Sequence, residues 1–141
     1  MWSALAQRPD GMLPLSRPGV WVAGAILIGA AIVLGSLLPG PMISTVSAWD
    51  KLEHASAYGL LTLWITGMLE RRRYAWAALA AFLLGLSLEG LQGALTATRQ
   101  ADPLDVVANL SGIAVAWTLA LLGLGGWAGR VERWLGLAPS A

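Results

Sequence analysis

The sequence predicts an all-α integral membrane protein: a bundle of four transmembrane helices with both termini cytoplasmic and a short interfacial helix at the C-terminus. Three observations predict it. Of 141 residues, 57% are hydrophobic and 12% charged, where soluble domains average about 45–50% and about 25%. The apolar residues gather into stretches that approach membrane-spanning length, at about 1.5 Å of rise per residue against a hydrocarbon core of roughly 30 Å. Basic residues alternate between the connections: Arg8 and Arg17, then Arg71, Arg72 and Arg73, then Arg130 and Arg133 fall on one side of a four-span arrangement, Lys51 and Arg99 on the other. The positive-inside rule puts the first set in the cytoplasm.

The chain reads as one domain over residues 1–141, with no room for a separate soluble unit. It has no cysteine, which excludes disulfides, thiolate chemistry and zinc sites built on Cys. The net charge of +1 and the scatter of the basic residues exclude nucleic acid as a partner.

Taken in order, residues before Pro18 carry Arg8, Asp10 and Arg17 among prolines and show no sustained apolar period, so they read as a cytoplasmic lead-in. The first span, about 20–38, holds no charge and ends at Pro39-Gly40-Pro41, which stops a helix. A cleaved signal peptide is the rival reading; the run is too long for one, and the small residues Val46-Ser47-Ala48 lie too far downstream. The second span, about 50–69, is closed by Glu70-Arg71-Arg72-Arg73. The third covers about 74–92 and the fourth about 103–124. Asp102-Pro103-Leu104-Asp105 is a helix start, with Asp at the N-cap and Pro at the first helical position. After Gly125-Gly126, Trp127, Val131 and Trp134 share a face with Arg130 and Arg133 off it, the pattern of a helix lying in the interface.

Polar side chains interrupt this apolar sequence in two sets. Asp50, His54 and Tyr58 are spaced to fall on one helical face, with Lys51 and Glu53 beside them. Downstream lie Glu89, Gln92, Arg99, Asp102, Asp105 and Asn109. Glu89 continues the small-residue stripe Ala77, Ala81, Gly85, and Asp105 and Asn109 continue into Gly112 and Ala116; such stripes let membrane helices approach closely. In the four-span arrangement both sets come to the extracytoplasmic end and gather Asp50, Lys51, His54, Tyr58, Glu89, Gln92, Arg99, Asp105 and Asn109 into one pocket.

An ionisable residue inside a membrane costs at least about 2.5–3.5 kcal/mol, so Glu89 is a functional candidate by default, with Arg99 as its counter-charge. Structural readings stand beside the functional ones. Asp50 suits an N-cap with Glu53 three residues on, Asp102 suits a cap more than a ligand, and Lys51 can snorkel. Tyr58 suits packing or an interfacial anchor. No Gly-x-Ser-x-Gly turn, phosphate loop or paired histidine is present. His54, the only histidine, can act with Glu89 and Asp105 in acid–base catalysis or hold a divalent cation with its carboxylates. The residues call for no cofactor and leave both a metal and an enzymatic role open.

The ordered series Asp50-Lys51, His54, Tyr58, Glu89, Gln92, Arg99, Asp102, Asp105, Asn109 and Gly112 resembles the VanZ-like family of small polytopic membrane proteins, over most of the chain. Ala55 departs from the pattern, standing where the family often carries an aromatic residue. The resemblance implies residence in the bacterial cytoplasmic (inner) membrane and a cell-envelope role, since the founding member is associated with teicoplanin resistance. On this basis the expected function is to engage a lipid-linked or amphiphilic envelope molecule at the outer leaflet, among membrane lipids, in glycopeptide resistance or envelope maintenance. There Lys51 and Arg99 would meet its phosphate or carboxylate. The alternatives are an accessory subunit bound to a membrane-protein partner and, third, proton-coupled transport, against which the cytoplasmic halves of the spans lack ionisable residues.

Overall fold

The apolar stretches are helices in the computed structural model, which describes residues 10–37, 48–95 and 102–137. In chain order these are α1 (Pro18–Leu37), α2 (Ala48–Met68), α3 (Tyr74–Leu95), α4 (Pro103–Leu119) and α5 (Trp127–Trp134). Three segments are long and apolar enough to cross a membrane: Pro18–Leu37, Arg71–Ala94 and Pro103–Leu124. The 21-residue α2 matches them in length, but its first turns carry Asp50, Lys51 and Glu53. It is the central helix, packed against α1, α3, α4 and α5.

The distribution of side chains is the reverse of a soluble protein's. Ile26, Leu27, Leu34, Trp76, Leu83, Val107 and Val115 are exposed, while Ala77, Ala81, Ala108, Ala116, Thr62 and Thr66 are buried. Large apolar residues outside and small ones inside are what lipid selects, because close backbone approach, and not burial of hydrocarbon, draws membrane helices together. The closest approach is α2 on α4 at Gly112, where a Cβ would stand 1.9 Å from the Ala55 carbonyl oxygen. The buried hydroxyls of Thr62 and Thr66 donate to the Tyr58 and Thr62 carbonyls at 2.8 and 2.9 Å, so neither leaves an unmet polar group in the core.

One end of the bundle is closed by parts that lack a helical period. Residues 10–15 run beneath α2, with the Leu13 N–H donating to the Met68 carbonyl and the Glu70 N–H to Gly11, each at 2.9 Å. Leu15 is buried against Met68 and Ala128. Residues 10–15 of the lead-in are therefore part of the fold, which their lack of periodicity does not reveal. Trp21, Trp64 and Trp127 meet above it with ring centroids 5.1–5.8 Å apart, and each indole N–H is satisfied: by Glu132 at 2.8 Å, the Trp21 carbonyl at 2.9 Å and the Leu63 carbonyl at 3.0 Å.

Helix α5 is amphipathic, and its buried face is centred on Ala128 and Glu132, while Trp134 is 84% exposed. Glu132 accepts the Ser16 N–H at 2.5 Å and the Arg17 N–H at 3.0 Å, where α1 begins and where a helix welcomes negative charge. Between α4 and α5 the chain widens into a π-helical turn, Ala120–Leu124, broken by Gly123 at φ 122°. Carbonyls left free there are met by arginines: Arg71 reaches Leu121, and Arg130 reaches Gly125 and Leu124. This end thus carries Arg17, Arg71, Arg72, Arg73 and Arg130, and the ends of α1 and α3 and the starts of α2 and α4 meet at the other.

Candidate functional site

The opposite end gathers the polar sets. Asp50, Lys51 and His54 occupy the first two turns of α2, Glu89 and Gln92 the last turns of α3, and Asp102, Asp105 and Asn109 the start of α4. Pro103 at the first helical position fixes where α4 begins, and the Asp102 side chain accepts the Leu104 N–H at 2.9 Å as its cap. That cap sets the register that turns Asp105 and Asn109, one helical turn apart, toward α2.

Lys51 is the hub. Its Nζ donates to Asp102 Oδ2 at 2.5 Å, to Asp105 Oδ1, and lies 3.4 Å from Asp50 Oδ2. Asp102 is therefore cap and ion-pair partner together; the hydrogen bond from Lys51, joined by that from the Leu104 N–H, holds its carboxyl below the usual carboxylate range. Asp50 is not an N-cap, because α2 starts two residues earlier, at Ala48; its partly exposed carboxylate lies 3.4 Å from Lys51 Nζ and 4.0 Å from His54 Nε2. Asp105 likewise faces the pocket. Engaged by three carboxylates, Lys51 serves as their internal counter-charge.

His54 faces α4. Its Nδ1 lies 3.1 Å from Asn109 Oδ1, and because an amide oxygen only accepts, Nδ1 carries the proton. Nε2 points to the other side, 3.7 Å from Asp105 Oδ2 and 4.0 Å from Asp50 Oδ1. Asn109 is itself buried, so the ring is oriented from the protein interior. A hydrogen-bonded imidazole with an available Nε2 among carboxylates can accept a proton or ligate a cation.

Two further expected residues act behind this centre. Glu89, buried, accepts the Asp102 N–H at 2.5 Å, tying the end of α3 to the cap of α4. Gln92 donates to the Ser36 carbonyl of α1 at 2.7 Å. Tyr58 is buried in the core beside Gly85, where an added Cβ would meet its ring at 3.1 Å and the Asn109 amide nitrogen at 3.1 Å. Arg99 lies outside the described residues; among these, the partner of Glu89 is a main-chain N–H. Asp102, which its context before Pro103 favours as a cap over a ligand, is both cap and member of the ionic network, and the position of Lys51 across the bundle reveals the second role.

The site opens on a groove of about 340 Å³ between α1 and α2. Ile28, Ala31, Ile32, Ala57 and Leu60 form its apolar length, and Asp50, Glu53 and His54 its polar end. No family model, curated protein or solved structure matches the chain, so the reading of this site rests on its geometry.

Proposed function

We propose that the chain is a four-span protein of the VanZ-like family in the bacterial cytoplasmic membrane. Both termini are cytoplasmic, and the Asp50–His54–Asp105 end, facing outward, engages the head group of a lipid-linked or amphiphilic envelope molecule. The groove between α1 and α2 carries this reading: hydrocarbon along its length and hydrogen-bonding groups at one end match an amphiphile lying along the membrane normal. The arginines at the opposite end support the orientation through the positive-inside rule. Counted this way, α2 is the fourth span, its charged first turns sheltered by α4 and at headgroup depth.

The polar end of the groove is acidic, with no lysine or arginine among its described lining residues. Hydroxyls and amines of a head group are thus the natural partners of Asp50 and Glu53, and His54 is placed to exchange a proton with one of them. Native mass spectrometry of protein gently extracted from its own membrane tests the reading. Wild type should carry an envelope lipid that both His54→Ala and the groove-filling Ala31→Trp lose while keeping their helical content. Equal lipid occupancy in all three forms overturns it.

A second reading, an accessory subunit of a larger membrane complex, is favoured by one observation. A furrow of about 360 Å³ on the outer side of α2 and α4 is lined by Ala55, Ser56, Gly59, Ser111, Gly112 and Val115, small residues of the kind that seat a partner transmembrane helix. The same spectra separate the two: a stoichiometric protein partner on every form, with no distinctive lipid, selects the subunit.

A further inference from the structure

We infer that Asp50, His54 and Asp105 form a binding site for one divalent transition ion, zinc or manganese in kind. Each residue offers one ligand atom, and the three lie within 4.8 Å of one another; His54 Nε2 faces Asp105 Oδ2 and Asp50 Oδ1. The ion stands independently of any amphiphile, and its test uses the ion alone.

The donor geometry comes first. Two helices supply the ligands, Asp50 and His54 one turn apart on α2 and Asp105 from the facing α4. Ligand bonds of about 2.0–2.2 Å put neighbouring donors roughly 3.0–3.5 Å apart. The Nε2 separations of 3.7 and 4.0 Å are wider by about 0.2–1.0 Å, beyond direct hydrogen bonding and closed by small side-chain rotations. Asp50, whose side chain is 43% exposed, is free to close the remaining gap by a small rotation.

The surrounding groups are arranged as they are around known metal ligands, each of which has its other polar atom held. Asn109 takes the Nδ1 proton of His54 and leaves Nε2 for the ion. Lys51 takes Asp105 Oδ1 and lies against Asp50 Oδ2, leaving on each carboxylate the oxygen that faces His54.

Charge and access agree. Asp50, Glu53, Glu89, Asp102 and Asp105 oppose Lys51 alone among the described residues of this end, so carboxyl groups outnumber cations there. Three protein ligands leave a zinc or manganese ion with open positions, and the adjoining groove, lined by Asp50 and His54, supplies room for water or for an oxygen of a bound molecule. An imidazole with two carboxylates suits these ions better than magnesium or calcium, which take oxygen ligands.

The experiment uses the full-length protein in detergent, stripped with chelator and titrated with Zn²⁺ or Mn²⁺ by calorimetry, with Mn²⁺ EPR as a second readout. Wild type should bind one ion per chain. Asp50→Asn and His54→Gln should each weaken binding by at least about tenfold, and Asn109→Ala, which touches no ion, by about 10–100-fold. Glu70→Gln, a carboxylate paired with Arg72 at the opposite end of the bundle, should bind as wild type does. Asp50→Asn changes a half-exposed group, so its circular dichroism should match wild type and exclude misfolding as the cause. Absence of stoichiometric binding, wild-type affinity in Asp50→Asn and His54→Gln, or equal loss in Glu70→Gln each overturns the inference.

Discussion

The Nδ1 of His54 lies 3.1 Å from the Oδ1 of Asn109, a contact between residues 55 positions apart that joins α2 to α4 and decides which imidazole nitrogen faces the carboxylates. Replacing Asn109 with Leu removes the acceptor and leaves a half-buried N–H unpaired, at a cost of about 1–3 kcal/mol. Denaturant titration in detergent should show that loss, and ¹⁵N spectra of the ring should show the tautomer no longer fixed.

Close packing of α2 on α4 rests on Gly112. An added Cβ would meet the Ala55 carbonyl oxygen at 1.9 Å, backbone against backbone, whereas at Gly29 it meets nothing within 4 Å. Gly112→Ala should therefore destabilise by about 1–3 kcal/mol or more and weaken the His54–Asn109 contact one turn away. Gly29→Ala, in mid-helix, should be neutral or stabilising by up to about 1 kcal/mol. Equal unfolding midpoints for the two variants would refute the packing argument.

Lys51 holds together acids from two helices, and removing it leaves them facing one another. Lys51→Met should cost about 3 kcal/mol, the lower end for a broken buried pair because the site is partly open to water. Adding Asp105→Asn to Lys51→Met should recover part of the loss. Thermal melts of the two single variants and the double variant form the cycle that measures it.

At the arginine-rich end, Glu132 links the last described helix to the first. Burial opposes its ionisation, but the Ser16 N–H, the Trp21 indole and the Arg17 N–H outweigh that, and its carboxyl sits below its ordinary value. A depressed carboxyl contributes stability that is complete above the unfolded value, about 4.3, and is lost as pH falls through the lower folded one. Glu132→Gln should cost about 2–3 kcal/mol at neutral pH and should melt with a shallower dependence on pH below that point than wild type. Parallel pH profiles for the two proteins would contradict this role.

The helices and the polar end were both legible in the sequence for physical reasons. An uncharged run such as 20–37 has few folds open to it other than a helix in lipid, and charged groups such as Asp50, Lys51 and Asp105 stand out against hydrocarbon. Spacing of four residues was enough to put Asp50 with His54 and Asp105 with Asn109. The roles of the same groups were less legible. Lys51 reads as snorkelling or ligand-binding until its bonds to Asp102 and Asp105 are seen, because no local pattern encodes which helix faces which. Glu132 went unnoticed for a similar reason: its partners Ser16 and Arg17 lie 116 and 115 positions away, and a single acid between two arginines looks like a solvated charge. The lead-in at 10–15 has no period at all, and only its pairing with Met68 and Glu70 gives it structure.

The proposed outer-leaflet ligand depends on the His54 end facing out of the cell, and the chain's lack of cysteine makes this directly measurable. Single cysteines are introduced as Glu53→Cys at that end and Arg133→Cys at the other, and intact cells are treated with a membrane-impermeant maleimide. The account predicts immediate labelling of Glu53→Cys, with Arg133→Cys labelled only after the membrane is permeabilised. Labelling in the reverse order would place the acidic groove on the cytoplasmic side and contradict an outer-leaflet ligand.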